Sequence, residues 1–284
     1  MIGRLLRPRF RVRGLMILVA AAGVVSATGV WVWRAYFSPT DLWLRTIRDP
    51  SAMGRRWEFA ARALRGQDPA VGPEMAVEAL VGALSSPHWN VRADAAAALG
   101  QGGKRAQAAI PALISVLSDR NSSVRSGAAR SLGKILVAGG QERQTVIPAL
   151  IAALKDRYEW VRWTAAMELG RVVKPGDPEA VDVVAALRSR LADSRPRVRV
   201  WACWSLTRLG RGRESLPMLI ASLKESEGET RILAVQTLAD AGKEAAEAIP
   251  ALEAQLRKED NPIIVKEAER VLASLRGEAE SRGL

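Results

Sequence analysis

One motif occurs six times between Val77 and Leu272. Aligned copies share one slot, which is occupied by Arg92, Arg125, Arg162, Arg199, Arg231 and Val265. Successive slots lie 33, 37, 37, 32 and 34 residues apart. A period of this size is typical of solenoids, in which each unit buries its apolar face only by stacking on its neighbours. The sequence therefore predicts an elongated repeat domain before any chemistry is considered.

Each copy consists of two apolar-periodic helices joined by a polar turn. Three residues after the slot stand the small residues Ala95, Ala128, Ala165, Ala202, Ala234 and Ala268. Seven residues after it stand Leu99, Leu132, Leu169, Leu206, Leu238 and Leu272. The small residues allow close helix approach and the leucines fill the groove between helices. A degenerate seventh copy precedes these, with Leu42, Leu44, Ile47, Trp57, Ala60 and Leu64 at the corresponding offsets.

Residues that favour helix ends mark the boundaries of the repeats. First helices are expected to carry proline in their first turn, at Pro111, Pro148, Pro217 and Pro250. Second helices are expected to be capped by Asn121 and Asn261, and Pro196 and Pro262 occupy the next slot. We expect Gly100, Gly133 and Gly170 to follow the second helices in a left-handed conformation.

An acidic residue stands six positions before most of the arginine slots: Asp119, Asp156, Asp193 and Glu225. This pairing predicts an acid–arginine ladder between neighbouring repeats. The units resemble HEAT repeats, in the short form also found in the phycobilisome lyase family, over residues 74–275 and more weakly over 39–66. The resemblance implies that second helices line a concave face and that Asp–Arg pairs bridge the units. Ser86 in the first acidic slot and Val265 in the last arginine slot depart from the pattern.

The predicted fold is all-α. It is a right-handed α-solenoid of about six to seven two-helix HEAT-like repeats, preceded by one transmembrane helix. The repeats occupy residues 73–276, a juxtamembrane segment with the degenerate capping repeat occupies 34–72, and a polar tail occupies 277–284.

The first 38 residues differ from the repeats. Residues 14–33 contain no charged residue and are long enough to span a bilayer as a helix. Five arginines precede this stretch in the basic tail 1–13, which predicts a cytoplasmic N-terminus and extracytoplasmic repeats. A signal peptide cleaved after Val25-Ser26-Ala27 is the alternative interpretation.

Catalytic sites are disfavoured by composition. The chain has one histidine, His88, and one cysteine, Cys203. This excludes zinc sites built from several Cys and His ligands, and His-pair metal centres. His88 is interpreted as a helix-cap residue and Cys203 as a small core residue. We therefore predict a protein that is not an enzyme and that has no metal site and no cofactor.

Four tryptophans are concentrated in two neighbouring second helices: Trp160, Trp163, Trp201 and Trp204. At about 100° per residue they share a helical sector opposite the core positions. We predict an apolar patch on the concave face that includes Met167 and has Arg130 and Arg197 at its rim. The alternatives are that the rings wedge between neighbouring second helices, or that the patch mediates self-association.

The predicted function is that of a membrane-anchored scaffold which binds an acidic and apolar protein segment at this patch. The bilayer itself is contacted through residues 14–33. Repeats 1–5 are basic and the last is acidic, but nucleic acid is an unlikely partner outside the cytoplasm. The alternative is a HEAT-like enzyme or ligand-handling protein, either bilin lyase-like or acting on nucleic acid. A buried carboxylate facing the tryptophans would favour that class, and Glu168 and Glu159 are the candidates.

Overall fold

The computed structural model describes residues 60, 62–67 and 72–280, with side chains up to residue 277. They all belong to Thr46–Leu284, the second of the two units into which the chain divides. Every regular element among these residues is a helix. The tail 1–13, the predicted membrane helix 14–33 and most of 34–72 lie outside the described residues. Within the described part, no helix is both long enough and apolar enough to cross a bilayer.

Six helical pairs follow one another from residue 73 onward. The α-helices are α1 Pro73–Ala83, α2 Trp89–Gln101, α3 Ile110–Ser115, α4 Ser122–Val137, α5 Arg143–Ala153, α6 Glu159–Val172, α7 Ala180–Arg188, α8 Pro196–Arg208, α9 Gly212–Ser222, α10 Gly228–Ala241, α11 Ile249–Leu256 and α12 Pro262–Glu280. Short 3₁₀ segments, Gly103–Ala109, Val116–Ser118 and Gly242–Ala248, flank α3 and precede α11. Odd-numbered helices are the first helices of the repeats, and even-numbered helices are the second. The predicted repeat solenoid is therefore confirmed over the described residues.

The second helices form one continuous layer. At every junction, successive second helices contact each other more extensively than successive first helices do. The assignment of the second helices to a concave face stays a prediction. We call the solvent-facing side of α2, α4, α6, α8, α10 and α12 the second-helix face. The right-handed sense of stacking stays a prediction.

The repeated small and leucine slots form the core. All six alanines and all six leucines of these slots are buried. Ala60 and Leu64 of the degenerate copy are also fully buried. Cys203 lies in the core of the C-terminal repeats, as predicted, where burial raises the pKa of its thiol to about 12. The slots thus supply both the close approach and the apolar filling between helices.

Helix starts agree with the sequence only in part. Asn121 caps α4 by accepting a hydrogen bond from the backbone N–H of Ser123 at 2.8 Å. His88 is the N-cap residue of α2, as predicted. The prediction for Pro148 and Pro217 is wrong, because these prolines lie inside α5 and α9 rather than in the first turn. Both helices begin about one turn earlier than the proline indicates, since the residues before it are already helical.

The predicted role of Gly100, Gly133 and Gly170 is also wrong. These glycines are buried within their second helices, and positive φ angles occur farther along, at Gly103 and Gly139 among others. A Cβ atom at Gly133 would overlap the side chain of Glu168 in the next repeat. Glycine in this slot therefore serves close packing between second helices rather than helix termination.

Candidate functional site

The acid–arginine ladder joins each repeat to the next. Arg162 is representative: its Nε and Nη2 atoms donate to the two carboxylate oxygens of Asp193, both at 2.8 Å. Its Nη1 atom donates to the backbone carbonyls of Asp156 and Arg157 at 2.9 and 3.1 Å. One guanidinium thus hydrogen-bonds the turn of its own repeat and forms an ion pair with the acidic residue of the following repeat. The corresponding pairs are Arg92–Asp119, Arg125–Asp156, Arg199–Glu225 and Arg231–Glu259.

The ends of the ladder explain the two departures in the repeat pattern. An arginine pairs with the acid of the next repeat, so the last repeat needs an acid but no arginine. Glu259 provides that acid six residues before Val265, and the sequence analysis did not include it. At the other end the first repeat needs only the arginine, and the Ser86 carbonyl accepts from Arg92 Nη1 at 2.8 Å.

The ladder holds its carboxylates in the ionised form. The hydrogen bond from Arg231 lowers the pKa of Glu259 from 4.5 to about 2. The hydrogen bond from Arg92 likewise lowers the pKa of Asp119. Around Asp193, burial raises the pKa, but the hydrogen bonds from Arg162 and the Arg195 backbone together outweigh it, so that the pKa is lowered. The ladder is therefore a structural framework that stabilises the junctions at neutral pH.

Three of the predicted tryptophans form a continuous cluster on the second-helix face. Trp163 of α6 stacks on Trp201 of α8, with ring centroids 6.0 Å apart. Trp201 meets Trp204 edge-to-face at 5.3 Å. All three side chains are half-buried, so they reach across the groove between the two helices and also contact solvent. We call Trp163, Trp201 and Trp204 the tryptophan cluster. Its residues lie on the helix face of the predicted patch, and the rings also lie partly between neighbouring second helices, as in the wedged alternative.

Arginines from two helices, α4 and α8, lie over these rings. The guanidinium carbons of Arg130 and Arg197 lie 5.8 and 5.4 Å from the centroid of Trp163. Arg208, which the sequence analysis did not select, lies 5.0 Å from the centroid of Trp204. These distances are typical of cation–π contacts. Arg208 could have been selected from its spacing, because it follows Trp204 by one helical turn.

Trp160 and Met167 occupy the second-helix face but differ from the cluster. Trp160 is 44% exposed, and its ring stacks on Tyr158 at 5.8 Å rather than on the other tryptophans. The single four-indole patch is therefore divided into a cluster and a separate Tyr158–Trp160 pair. Tyr158 lies under the guanidiniums of Arg125 and Arg157, which connects this pair to the ladder. Met167 is half-buried on the same face.

The outward positions of α4, α6 and α8 are strongly basic. We define these positions by register as −2, +1, +2, +5 and +9 relative to the arginine slot; of the residues that they hold in the three helices, Thr164 and Val200 are buried. In the three helices they hold five cationic side chains and no acidic one: Arg130, Lys134, Arg171, Arg197 and Arg208. The +9 positions alone supply Lys134, Arg171 and Arg208, which we call the basic row. With the tryptophan cluster they form a surface that is both apolar and positively charged.

Glu168 lies beside this surface, and it is fully buried. Among the described residues neither of its carboxyl oxygens has a hydrogen-bond partner, and the nearest cation is Arg171 at 3.5 Å. Burial raises the pKa of Glu168, although Arg171, Arg130 and Lys134 act in the opposite direction. The two neighbouring repeats place serine in this slot: the hydroxyls of Ser131 and Ser205 donate to carbonyls of the preceding second helix, both at 2.7 Å.

Comparison with protein families settles what these repeats are. A family model described as HEAT repeats matches residues 41–133, 110–190 and 184–273. The chain belongs to the HEAT-repeat family. The first match includes the degenerate copy upstream of α1. None of the curated proteins compared with the sequence matches it.

Solved structures show the same fold at low sequence identity. An archaeal HEAT-like repeats protein from Thermococcus onnurineus NA1 has a TM-score of 0.53 and 16% identity, and covers 84% of this chain and 97% of its own. A chain of the Kap95p–RanGDP structure has a TM-score of 0.54 and 16% identity, covering 83% of this chain and 36% of its own. The CpcE–CpcF complex of phycocyanin lyase from Nostoc sp. PCC7120 has a TM-score of 0.49 and 24% identity, and the match covers 83% of this chain and 94% of its own. At such identities the similarity establishes the fold alone.

Proposed function

We propose that this HEAT-repeat protein is a scaffold that binds a segment of a partner protein on its second-helix face, across α6 and α8. The tryptophan cluster is the observation that carries the proposal. Three half-buried indoles with arginines over them present apolar surface at a position where HEAT repeats elsewhere in this chain carry mainly small or polar residues. Tryptophan and arginine are also the side chains that contribute most to protein interfaces.

Energetics favour a binding role over a purely structural one. Each square ångström of apolar surface left in water costs about 25 cal/mol relative to burial, so exposed indole surface lowers the stability of the free protein. The alanine and leucine slots between α6 and α8 are fully buried, whereas the rings remain partly exposed. A partner that covers the cluster would recover the unfavourable exposure as binding free energy.

The experiment is the double substitution Trp163→Ser plus Trp204→Ser in the full chain. We expect capture of the native partner to be lost while the denaturation midpoint changes little. Trp89→Ser is the matched control, since Trp89 is exposed at the start of α2, away from the cluster. Unchanged capture by the double variant would contradict the proposal. Unfolding of the double variant would show that the rings are core residues.

We further propose that residues 14–33 anchor the scaffold in a membrane, with residues 1–13 in the cytoplasm and the repeats outside it. The uncharged stretch and the five preceding arginines support this orientation. A reporter that is active only in the cytoplasm, fused after Leu284, should be silent. Activity of the reporter would contradict the proposed orientation.

The proposed role is non-catalytic. A HEAT-like enzyme or ligand-handling protein, the alternative class, would be favoured by a buried carboxylate that faces the tryptophans. Glu168 is fully buried, against Gly133 of the neighbouring helix, and so meets the burial part of this criterion. Glu159, the other candidate, is partly exposed and forms an ion pair with Arg195 at 2.9 Å. The ligand-handling class is therefore the second candidate function, and Glu168 is the residue that favours it.

A further inference from the structure

The chemistry of the partner segment follows from the charges around the tryptophan cluster. The basic outward positions of α4, α6 and α8 are bounded on both sides by acidic ones. Asp94 occupies an outward position of α2, and Glu229 and Asp240 occupy outward positions of α10. The positively charged region is therefore three helices wide. It coincides with the helices that carry the cluster and the arginines over it.

Most of these cations lack an acidic partner within the described part of the chain. Arg130, Lys134 and Arg208 form no ion pair there: Arg130 and Arg208 lie over indole rings, and Arg208 also donates to the Gly170 carbonyl at 2.9 Å. Arg171 has only the buried Glu168 at 3.5 Å, whereas Arg197 forms ion pairs with Glu227 and Glu229. The pKa of Lys134 is lowered by burial and by repulsion from Arg130 and Arg171, against attraction from Glu168. An anionic ligand would neutralise this excess positive charge.

The spacing of the basic row suggests the conformation of the anion. Its three members occupy the same slot of successive second helices, whose axes are about 8–10 Å apart in packed helices. A polyproline II chain has three residues per turn and rises about 3.1 Å per residue, so equivalent side chains recur about every 9 Å. A segment of this kind that crosses the helices would present every third side chain to the next member of the row.

We propose that the bound segment is an acidic peptide in a polyproline II-like conformation, which crosses α4, α6 and α8 with a carboxylate at every third residue. One carboxylate lies at each of Lys134, Arg171 and Arg208, and apolar side chains of the segment contact the tryptophan cluster. This inference rests on the proposed function and specifies the partner of the same surface. Three residues for each of the three helices give the bound segment a length of about nine residues.

A synthetic peptide tests the spacing directly. The probe is a fluorescein-labelled peptide of three Glu-Pro-Leu units, titrated with the full chain in detergent micelles and followed by fluorescence anisotropy. We expect it to bind at least about fivefold more tightly than a peptide of identical composition whose three glutamates are consecutive, because only the spaced carboxylates match the row. A Lys-Pro-Leu peptide should not bind. Equal affinity for the spaced and consecutive peptides would overturn the proposal.

Single-residue variants test which cations are used. Lys134→Gln and Arg208→Gln should each weaken binding of the spaced peptide by about three- to tenfold, and raising the salt concentration should weaken it further. Lys155→Gln, which removes the same charge from an exposed position just after α5, should change affinity less than twofold. If Arg208→Gln lowers the denaturation midpoint, Lys134→Gln alone decides the test, since Lys134 donates no hydrogen bond to another described residue.

The outcomes separate this inference from the proposed function. Loss of native-partner capture in the tryptophan double variant, with full peptide affinity and full capture in Lys134→Gln and Arg208→Gln, would overturn the acidic-segment inference alone. Unchanged capture in all variants would overturn both proposals. Tighter binding of a twelve-nucleotide single-stranded DNA than of the spaced peptide would overturn the assignment of a carboxylate peptide.

Discussion

Replacing Arg162 with alanine should weaken the junction between the third and fourth repeats far more than replacing a surface arginine. The substitution removes four hydrogen bonds, two to Asp193 and two to backbone carbonyls. The Asp193 side chain is only 4% exposed, so its carboxylate cannot be resolvated by water without movement of the turn. After the substitution it retains one backbone N–H, from Arg195 at 3.0 Å, and Arg190 at 3.6 Å.

These remaining contacts determine the expected size of the loss. Breaking a buried ion pair by removing one partner costs about 3–5 kcal/mol, because the other charge is left uncompensated. Arg190 and the Arg195 backbone compensate the remaining charge in part, which places Arg162→Ala near the lower end, at about 3 kcal/mol. Arg162→Lys should lose less, because the ammonium group can reach Asp193 but cannot also satisfy both carbonyls.

Urea denaturation of the full chain, together with hydrogen exchange of the α6 and α8 amides, measures the effect. Arg213→Ala is the matched control, since Arg213 is 81% exposed and pairs with Glu247 only at 3.6 Å. It should show no measurable loss. The double variant Arg162→Ala plus Asp193→Ala should be less destabilised than the sum of the single variants. Strict additivity, or equal small losses for Arg162→Ala and Arg213→Ala, would refute the ladder as a stabilising network.

Three further predictions concern the same framework. Because the pKa of Glu259 is lowered to about 2, the ionised carboxylate stabilises the folded protein fully above about pH 5, and this stabilisation is lost as the pH falls toward 2. Glu259→Gln should therefore lower the urea midpoint at pH 7 and make that midpoint less dependent on pH in the acid range. An unchanged pH profile would contradict this prediction. Glu168→Ser should raise the free energy of unfolding at pH 7 by about 1 kcal/mol, since it removes a buried carboxyl and adds a hydroxyl in the slot where Ser131 donates to a carbonyl of the preceding second helix. A lower free energy of unfolding would reveal a stabilising role for the carboxyl. Gly133→Ala should destabilise the folded protein by about 1–3 kcal/mol, because the added Cβ would overlap Glu168. Gly82→Ala is the control: it has open space around it in α1 and should be neutral or stabilising. Equal effects of the two substitutions in urea denaturation would contradict the close-packing role of Gly133.

The fold and the ladder could be predicted because each repeat supplies the same physical requirement at the same slot. An arginine in one turn and an acid in the next turn recur with the period of the array, and the structure brings them together at every junction. The shared sector of Trp163, Trp201 and Trp204 was predictable for a related reason, since helical spacing alone places side chains around an axis. The position of Glu259 was also implied by the period.

Three features of the site and the fold could not be predicted, because they depend on contacts between residues that are distant in the sequence or on the fold of a turn. Tyr158 precedes α6, so the direction of its ring, and hence its stacking on Trp160, is decided by the fold of the turn. Glu168 is the residue directly after Met167 of the predicted patch, yet it is fully buried, because Gly133 in the neighbouring helix leaves room for its side chain. Pro148 marks an internal turn of α5 because the preceding residues extend the helix backwards.

Three unfavourable features coincide on α4, α6 and α8, and this coincidence is the strongest argument that the surface binds a partner. Indole surface is exposed to water, the cations Arg130, Lys134 and Arg208 lie close together without an ion pair to a described residue, and Glu168 is buried without a hydrogen bond. Each lowers the stability of the free solenoid. The ladder already fixes the geometry of these junctions, so none of the three is needed to fold the array. Local rules of this kind are broken together mainly at functional sites, where binding supplies the compensation.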